Sequence, residues 1–135
     1  MSSEKILNED SFLVSETNKQ GLITFANDDF CKISGYSLEE LIGQPHNIVK
    51  HEDMPKVAFK ELWDTVNSGK IWSGYVKNKI KGGKGFYWVF ATVYPFQTCD
   101  GEIGFLSCRR KPAREEIEEY EKIYKELKNK ELRIY

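Results

Sequence analysis

Residues 71–110 read IWSGYVKNKIKGGKGFYWVFATVYPFQTCDGEIGFLSCRR, in which two glycine-containing turns separate three runs rich in β-branched and aromatic residues. Such runs, with alternating side-chain character, are typical of strands. The turns are Gly82-Gly83-Lys84 and Cys99-Asp100-Gly101. Because each turn is short, consecutive strands must run antiparallel. The segment therefore predicts a three-stranded meander over residues 71–80, 85–96 and 103–109.

Alternation along a strand assigns each side chain to one face of the sheet. In the second strand one face carries Phe86, Trp88, Phe90, Thr92, Tyr94 and Phe96. In the first strand one face carries Trp72, Gly74, Val76, Asn78 and Ile80. Asn78 is the one amide of that face, and a buried amide needs a hydrogen-bond partner. Its position predicts either a core amide paired within the protein or a contact to a bound ligand.

The sequence before the meander predicts a hairpin and two short helices. The hairpin consists of strands 11–16 and 22–26, joined by a turn over residues 18–21. Asn27 and Asp28 offer an N-cap for a helix that ends at Gly35. The capping box Ser37–Glu40 begins a second helix, which ends at Gly43.

A longer helix is expected after a loop over residues 44–52. Asp53 is expected to cap it, with Pro55 in the first turn and Gly69 at the end. Helical spacing unites an apolar stripe of Ala58, Phe59, Leu62, Trp63 and Val66. This stripe predicts the face that packs on the sheet, and we expect a cavity between the sheet and the start of this helix near Met54.

The element order predicts an α+β fold, a five-stranded antiparallel sheet with helices packed on one face. Residues 1–10 are expected to be a mobile or briefly helical lead, and residues 11–111 the folded domain. Residues 112–135 predict an amphipathic helix, with apolar positions at Ile117, Tyr120, Tyr124, Leu127 and Ile134. This seam packs either on a partner helix, as in a homodimer, or back on its own domain.

Composition narrows the class of protein. The chain has 135 residues, enough for one domain, and a net charge of -1, which gives no electrostatic case for nucleic acid. Its cysteines, Cys31, Cys99 and Cys108, lack the spacing of a zinc site or a disulfide framework and fit a reducing compartment. No apolar run approaches the ~18 residues of a membrane span, and the N-terminus has no signal-peptide core. We expect a soluble cytoplasmic protein that does not insert into a membrane.

The loop GQPHNIVKHEDMP, residues 43–55, concentrates polar groups: two histidines, an asparagine, a lysine and two acids. A hydrophobic core does not require such a loop. Together with Asn78, the loop predicts the lining of a pocket for a planar, hydrogen-bonding ligand.

Two sets of motifs resemble those of PAS domains. ANDDFCKISGYSLEELIG, residues 26–43, is similar to the opening motif of that family. GQPHNIVKHEDMPKVAF, residues 43–59, and WSGYVKN, residues 72–78, resemble more narrowly the flavin-binding PAS domain of bacterial aerotaxis receptors. The resemblance extends over residues 12–127.

The resemblance implies a cytoplasmic sensor of redox state or oxygen that binds FAD non-covalently, with the flavin ring between the helix and the inner face of the sheet. The implied pocket residues are His46, Asn47, Lys50, His51, Asp53, Trp63, Trp72 and Asn78. The implied partner is a membrane-bound chemotaxis transducer or its HAMP-type signalling region, with this chain acting either as a separate subunit or as an excised domain. Aerotaxis receptors usually carry arginine where Lys50 stands, and lysine lacks the planar fork that grips a phosphate or a ring edge. FMN therefore stays open beside FAD.

The same residues also allow plainer interpretations. Trp63 and Trp72 suit an aromatic core. Asp53 suits an ordinary N-cap and His51 a surface histidine, unless the helix start binds the ribose or pyrophosphate of a dinucleotide. His46 stands near the position at which light-sensing PAS domains carry an adduct-forming cysteine, and this loop has no cysteine. Haem is a further alternative, with one of the two histidines as the iron ligand.

Catalysis is not indicated, because the sequence offers no nucleophile–base set, no phosphate-binding glycine loop before a helix and no metal cluster. The leading hypothesis is a redox sensor in which Asn78 contacts the edge of the flavin ring. The alternative of a different class is a cofactor-free module that dimerises through its sheet and terminal helix. In that case Trp63, Trp72 and Trp88 would fill the core and leave no cavity.

Overall fold

The structure is a computed structural model that describes residues 3–134, with side chains up to Glu131. Five strands form one antiparallel sheet in the order β2-β1-β5-β4-β3. The strands are β1 (Leu13–Asn18), β2 (Ile23–Ala26), β3 (Trp72–Lys79), β4 (Phe86–Gln97) and β5 (Ile103–Arg110). The predicted meander and hairpin are therefore confirmed, and the α+β class with them.

Two short helices follow the hairpin and begin at the predicted caps. Helix α1 (Asp28–Ser34) begins after Asn27, whose side chain accepts a hydrogen bond from the Phe30 amide. Helix α2 (Leu38–Leu41) begins with the complete capping box of Ser37 and Glu40. Each cap satisfies amide groups that a helix cannot pair within itself.

Helix α3 (Lys56–Asn67) begins differently from the prediction. Its N-cap residue is Pro55, which offers no side-chain hydrogen bond, so the assignment of Asp53 as the cap was wrong. Instead, the Asp53 carboxylate accepts a hydrogen bond at 2.8 Å from Nζ of Lys77, a residue of β3. The first turn of α3 holds no acidic residue.

The sheet has an inner face, which packs against α3 and the loop before it, and an outer face. Buried inner positions of β4 are Tyr87, Val89, Ala91 and Val93. The aromatic set of β4 that begins with Phe86 and Trp88 shares the opposite, outer face, as alternation requires. Trp88 therefore lies on the face opposite to the cavity and does not fill the space between the sheet and α3, contrary to the expectation for the cofactor-free alternative.

The described part of the N-terminal lead is neither helical nor detached. It runs beside the start of β4, where the Lys5 amide donates to the Phe86 carbonyl and the Phe86 amide donates to the Ser3 carbonyl. Leu7 is buried, and Glu4 pairs with Arg114. These contacts fix residues 3–7 on the domain, and residues 1 and 2 lie outside the described residues.

Helix α4 (Arg114–Ile134) folds back on its own sheet, the second of the two predicted arrangements. Ile117 and Tyr124 are buried, and the Tyr124 ring stacks on Trp88 with 6.1 Å between centroids. Tyr120 lies 4.5 Å from the Tyr75 ring. The last predicted seam residue, Ile134, lies beyond the described side chains. None of the helices in residues 3–134 is long and apolar enough to cross a membrane.

Candidate functional site

The loop before α3 crosses the inner face from one edge of the sheet to the other. At its start the His46 amide donates to the Gly21 carbonyl, next to edge strand β2. A 3-10 turn (His46–Val49) then leads to Lys50, which bridges to Asn78 on the opposite edge strand β3. Backbone bonds at both edges therefore hold the loop over the sheet, and α3 continues this cover.

A cavity of about 200 Å³ lies between this cover and the inner face of the sheet, where the sequence predicted one. Its walls come from β1, the loop, α3 and the last three strands. The lining residues are Thr17, His46, Asn47, Lys50, Phe59, Leu62, Trp63, Val76, Asn78, Ala91, Val93, Phe105, Ser107 and Arg109. The mixture of aromatic walls and a few polar groups is that of a ligand pocket.

Arg109 is the most unusual member of the lining, because a guanidinium is rarely buried without a carboxylate. It is 3 % exposed, and among the described residues it forms no ion pair with an acid. Its Nη2 donates to Ser15 Oγ at 2.8 Å and contacts His46 Nε2 at 2.6 Å. Burial lowers its pKa to about 10, so the group still carries its charge at neutral pH.

The contact with Arg109 defines the state of His46. Since a guanidinium can only donate, His46 Nε2 must be the acceptor, and the imidazole is neutral with its proton on Nδ1. Burial, and then the charge of Arg109, lower the pKa of His46 to about 3. Ser15 Oγ lies 3.0 Å from the same nitrogen. His46 is therefore a neutral acceptor that holds Arg109 in place.

Three buried polar atoms of the cavity-lining residues have no hydrogen-bond partner in the described part of the chain: Thr17 Oγ1, Ser107 Oγ and Arg109 Nη1. A buried donor without a partner typically costs about 1–3 kcal/mol, so such atoms are uncommon unless a ligand or water meets them. Two further buried atoms without a partner, Tyr87 Oη and Trp88 Nε1, belong to residues outside the cavity lining. The concentration of unsatisfied groups at one cavity indicates a polar ligand edge.

Asn78 lies on the inner face, as predicted, and is 3 % exposed in the cavity wall. It pairs with Tyr87 across the β3–β4 register; burial raises the pKa of Tyr87 to about 12, while the nearby charge of Arg109 and the nearby Asn78 amide act in the opposite direction. The Asn78 amide offers both a donor and an acceptor to the cavity.

The structure brings together five of the predicted site residues, which are His46, Asn47, Lys50, Trp63 and Asn78. The other three lie outside the cavity lining. His51 Nδ1 accepts from the Asp53 amide at 3.0 Å, and the His51 amide donates to the Lys77 carbonyl at 3.3 Å. These two residues therefore fasten the end of the loop to β3. Burial is the main cause that lowers the pKa of His51, followed by the charge of Lys77.

Trp72 is buried at the edge of the inner face rather than in the cavity wall. Its Nε1 donates to Glu61 Oε1 at 3.1 Å. Its ring lies over Gly74, where an added Cβ would stand 2.5 Å from a ring atom. The glycine therefore lets the ring lie flat on the strand, and Glu61 fixes it to α3.

The sequence interpretation missed Arg109, although a signal was present. Phe105, Ser107 and Arg109 alternate on β5 and so share a face, which the structure shows to be the cavity face. Extending the inward set of Asn78 across the sheet would have pointed to it. That the guanidinium has no acidic partner is a tertiary fact that one strand does not reveal.

Among residues 3–134, no group of three or more His, Cys, Asp or Glu side chains is arranged to hold a metal ion. Of the two histidines, only His46 lines the cavity, and its Nε2 is already in contact with Arg109. His51 lies outside the lining, and its Nδ1 accepts a hydrogen bond from the Asp53 amide. These contacts suit a hydrogen-bonded organic ligand better than a metal bound through Nε2 of His46.

A family model described as the PAS fold matches residues 23–109. The chain is 48 % identical over 122 residues to the aerotaxis receptor of Escherichia coli (strain K12), an alignment that covers 90 % of this chain and 24 % of the receptor. It is 31 % identical over 93 residues to the nitrogen fixation regulatory protein of Klebsiella pneumoniae, which covers 69 % of this chain and 19 % of that protein. The chain therefore spans about a quarter of the length of these relatives, or less.

Solved structures agree on the fold. The PAS domain of a protein from Colwellia psychrerythraea superposes with a TM-score of 0.59 at 24 % identity, over 75 % of this chain and 86 % of that one. A blue-light activated histidine kinase of Erythrobacter litoralis superposes with a TM-score of 0.68 at 15 % identity, over 77 % of this chain and 34 % of that one. At such identities the likeness concerns the fold alone.

Proposed function

Since this chain belongs to the PAS family, we propose that it is a sensor domain that binds FAD non-covalently in the cavity and reports redox state, or oxygen-linked electron flow, to a chemotaxis transducer. The coarser part, a PAS domain homologous to an aerotaxis receptor, is established by the family match and the 48 % identity. The cofactor, the signalling role without catalysis, the cytoplasmic location and the partner belong to the proposal.

The observation that carries the proposal is the buried, carboxylate-free guanidinium of Arg109. Its Nη1 has no hydrogen-bond partner among the described side chains and backbone, and it belongs to the cavity wall with the hydroxyls of Thr17 and Ser107, which are unpaired in the same part of the chain. A buried cation of this kind stabilises electron-rich oxygen or nitrogen atoms, or a negative charge, on a ligand. The edge of an isoalloxazine ring offers carbonyl oxygens and ring nitrogens together.

The rest of the cavity suits a flat ring. Phe59, Trp63 and Phe105 supply aromatic walls, and the Trp63 and Phe105 rings meet edge to face at 5.4 Å between centroids. A cavity of about 200 Å³ is smaller than the ~300–1,000 Å³ of typical ligand pockets, so it suits the ring system rather than a whole dinucleotide. The ribityl and phosphate portion would leave past Lys50, whose Nζ lies 5.3 Å from the centre of the Phe59 ring.

When bound, the flavin supplies a ring whose charge and protonation change on reduction. Asn78 would respond by turning its side chain, which exchanges donor for acceptor, and this reorientation would shift the strand that carries it. Arg109 keeps a fixed positive charge at the cavity, and His46 and Ser15 hold its direction. Asn78 lies on β3, whose opposite face carries Tyr75 in contact with α4. A shift of this strand therefore reaches the helix that a partner would read.

The proposal is favoured over the two alternatives by the same residues. A cofactor-free module would leave three buried polar atoms unsatisfied around a cavity. This would destabilise the fold, and no ligand contact would offset the loss. A haem sensor needs a histidine nitrogen that reaches iron in the cavity, but Nε2 of His46 already accepts a charged hydrogen bond and His51 lies outside the cavity lining.

The deciding experiment is an absorption spectrum of the freshly purified chain, followed by identification of any ligand released on heating. We expect the two-band spectrum of a flavin, and FAD in the supernatant. FMN would correct the identity of the cofactor and keep the site. A single intense Soret band would transfer the site to haem. No chromophore, even after incubation with FAD, would overturn the sensor proposal and leave the interaction module.

A further inference from the structure

Helix α3 forms part of the cavity wall, yet its own sequence does not cap it. The N-cap residue Pro55 makes no side-chain hydrogen bond, and the first turn holds no acid. Lys56 opens the helix with a positive charge at the positive end of the helix dipole. A helix start of this kind gains stability from any carboxylate that another element brings to it.

That carboxylate comes from α4. Glu131 Oε1 accepts a hydrogen bond from the backbone amide of Lys56, across 75 positions of sequence. Lys128, one turn earlier on α4, lies 3.9 Å from the other oxygen of Glu131. The last described side chains of α4 are therefore joined to the beginning of α3.

A second attachment fixes α4 to the other side of the cavity. Tyr124 Oη donates to the Tyr75 carbonyl at 2.6 Å, and the Tyr124 ring stacks on Trp88. Tyr75 belongs to β3, where Val76 and Asn78 line the cavity. Strand β3 thus faces the cavity on one side and α4 on the other.

The two attachments are seven residues apart on one continuous helix, which corresponds to about 10 Å along its axis. Because an α-helix of this length is stiff, both contacts form only when the start of α3 stands at the matching distance from β3. Both elements are walls of the same cavity, since Leu62 and Trp63 of α3 and Val76 and Asn78 of β3 line it. Helix α4 therefore connects β3 to the start of α3 from outside the cavity.

We propose that Glu131 is a positioning residue through which docking of α4 and occupancy of the cavity are thermodynamically linked. A ligand that holds α3 and β3 at the spacing described here strengthens the Glu131 contact. By reciprocity, the Glu131 contact strengthens ligand binding by the same factor. The inference rests on the proposed function for the identity of the ligand, which is FAD, and it names the side chain that would transmit the state of the cavity to α4.

The test measures FAD binding to the ligand-free full chain, with a matched control on the same helix. Glu131→Ala is expected to weaken FAD binding about fivefold. Glu131→Gln, which keeps an acceptor oxygen without the charge, is expected to lie between Glu131→Ala and the wild type. Glu126→Ala removes an exposed acid of α4 and is expected to stay within about twofold of the wild type.

Hydrogen exchange supplies a readout that a general loss of stability would not reproduce. In the wild type, FAD is expected to slow exchange of the amides between Tyr124 and Glu131; in Glu131→Ala this protection by FAD is expected to disappear. Equal FAD affinity in the wild type and Glu131→Ala, or equal protection in both, would overturn the linkage and leave the flavin site intact. A wild-type chain that binds no FAD would overturn the proposed function itself, so the two failures are distinguishable.

Discussion

Nη2 of Arg109 lies 2.6 Å from Nε2 of His46, and this contact joins the end of β5 to the loop that covers the cavity. The guanidinium is buried and the imidazole half-buried, and among residues 3–131 neither forms an ion pair with a carboxylate. The pair fixes a positive charge toward the ligand while the histidine stays neutral. Both consequences can be measured.

Replacing Arg109 is expected to separate stability from binding. Arg109→Met removes a buried cation that has no acidic partner, so the free energy of unfolding of the ligand-free chain should rise by about 1 kcal/mol. FAD affinity should fall at least about tenfold, because the charged donor is lost. Urea denaturation and a flavin titration measure the two effects. A destabilised variant that still binds FAD normally would contradict the role assigned to Arg109.

The neutral state of His46 predicts a pH dependence of stability. Its pKa in the folded chain is about 3, below the ordinary value near 6.5, so only the unfolded chain takes up this proton as the pH falls through that interval. Stability is therefore lost on acidification, by about 2 kcal/mol between pH 7 and pH 5.

His46→Gln, which keeps an acceptor for Arg109, should remove most of this slope, as measured by urea denaturation across that pH range. His51→Gln is the matched control and should keep most of the slope, since His51 does not contact Arg109 and the nearby carboxylates of Asp53 and Glu52 counteract the lowering of its pKa. Carboxylates with a lowered pKa, such as Asp53, also stabilise the folded chain, but this stabilisation is lost mainly at lower pH. They therefore add little to the slope between pH 7 and pH 5. A slope that survives in His46→Gln would show that this histidine is not buried neutral.

Local sequence rules predicted those parts of the fold that depend on neighbours along the chain. The cap at Asn27, the capping box at Ser37 and the turns of the meander follow from residues within four positions of one another. The position of Asn78 in the cavity wall follows from alternation alone.

The rest depended on partners distant in sequence. Asp53 is of a residue type that commonly caps helices, but its carboxylate pairs with Lys77 of β3. Glu131, far along the chain, accepts the hydrogen bond from the backbone amide of Lys56 instead. Trp72 has an inward position, but its ring lies at the edge of the sheet, where its Nε1 donates to Glu61. In each case the side chain had two possible partners, and packing between distant elements determined which one it contacts. Local sequence patterns carry no information about such packing.

Asn78 and its neighbour Tyr87 provide a matched pair of deletions at the cavity. Asn78→Ala should weaken FAD binding about tenfold, since it removes a donor and acceptor in the wall. Tyr87→Phe removes a buried hydroxyl that belongs to a residue outside the cavity lining and has no hydrogen-bond partner among residues 3–131, so FAD affinity should stay within about twofold. Isothermal titration of both variants gives the comparison. A larger loss in Tyr87→Phe than in Asn78→Ala would transfer the ring contact to the tyrosine.

Lys50 tests whether the phosphate portion of the ligand leaves the cavity where we propose. It lines the cavity without an ion pair among the described residues, and its Nζ lies 5.3 Å from the centre of the Phe59 ring. If it meets a phosphate, Lys50→Ala should weaken FAD binding about threefold to tenfold and leave riboflavin binding unchanged, because riboflavin has the ring but no phosphate. Lys50→Arg should match or exceed the wild type in affinity for FAD, since the guanidinium adds a planar fork.

The exposed Lys19, in the β1–β2 turn, is the control for loss of one positive charge. Parallel titrations with FAD and riboflavin at two salt concentrations decide the matter, as the phosphate contact should weaken with salt. Equal losses for both flavins would move Lys50 from the phosphate to the ring, and the exit path would have to lie elsewhere along the loop.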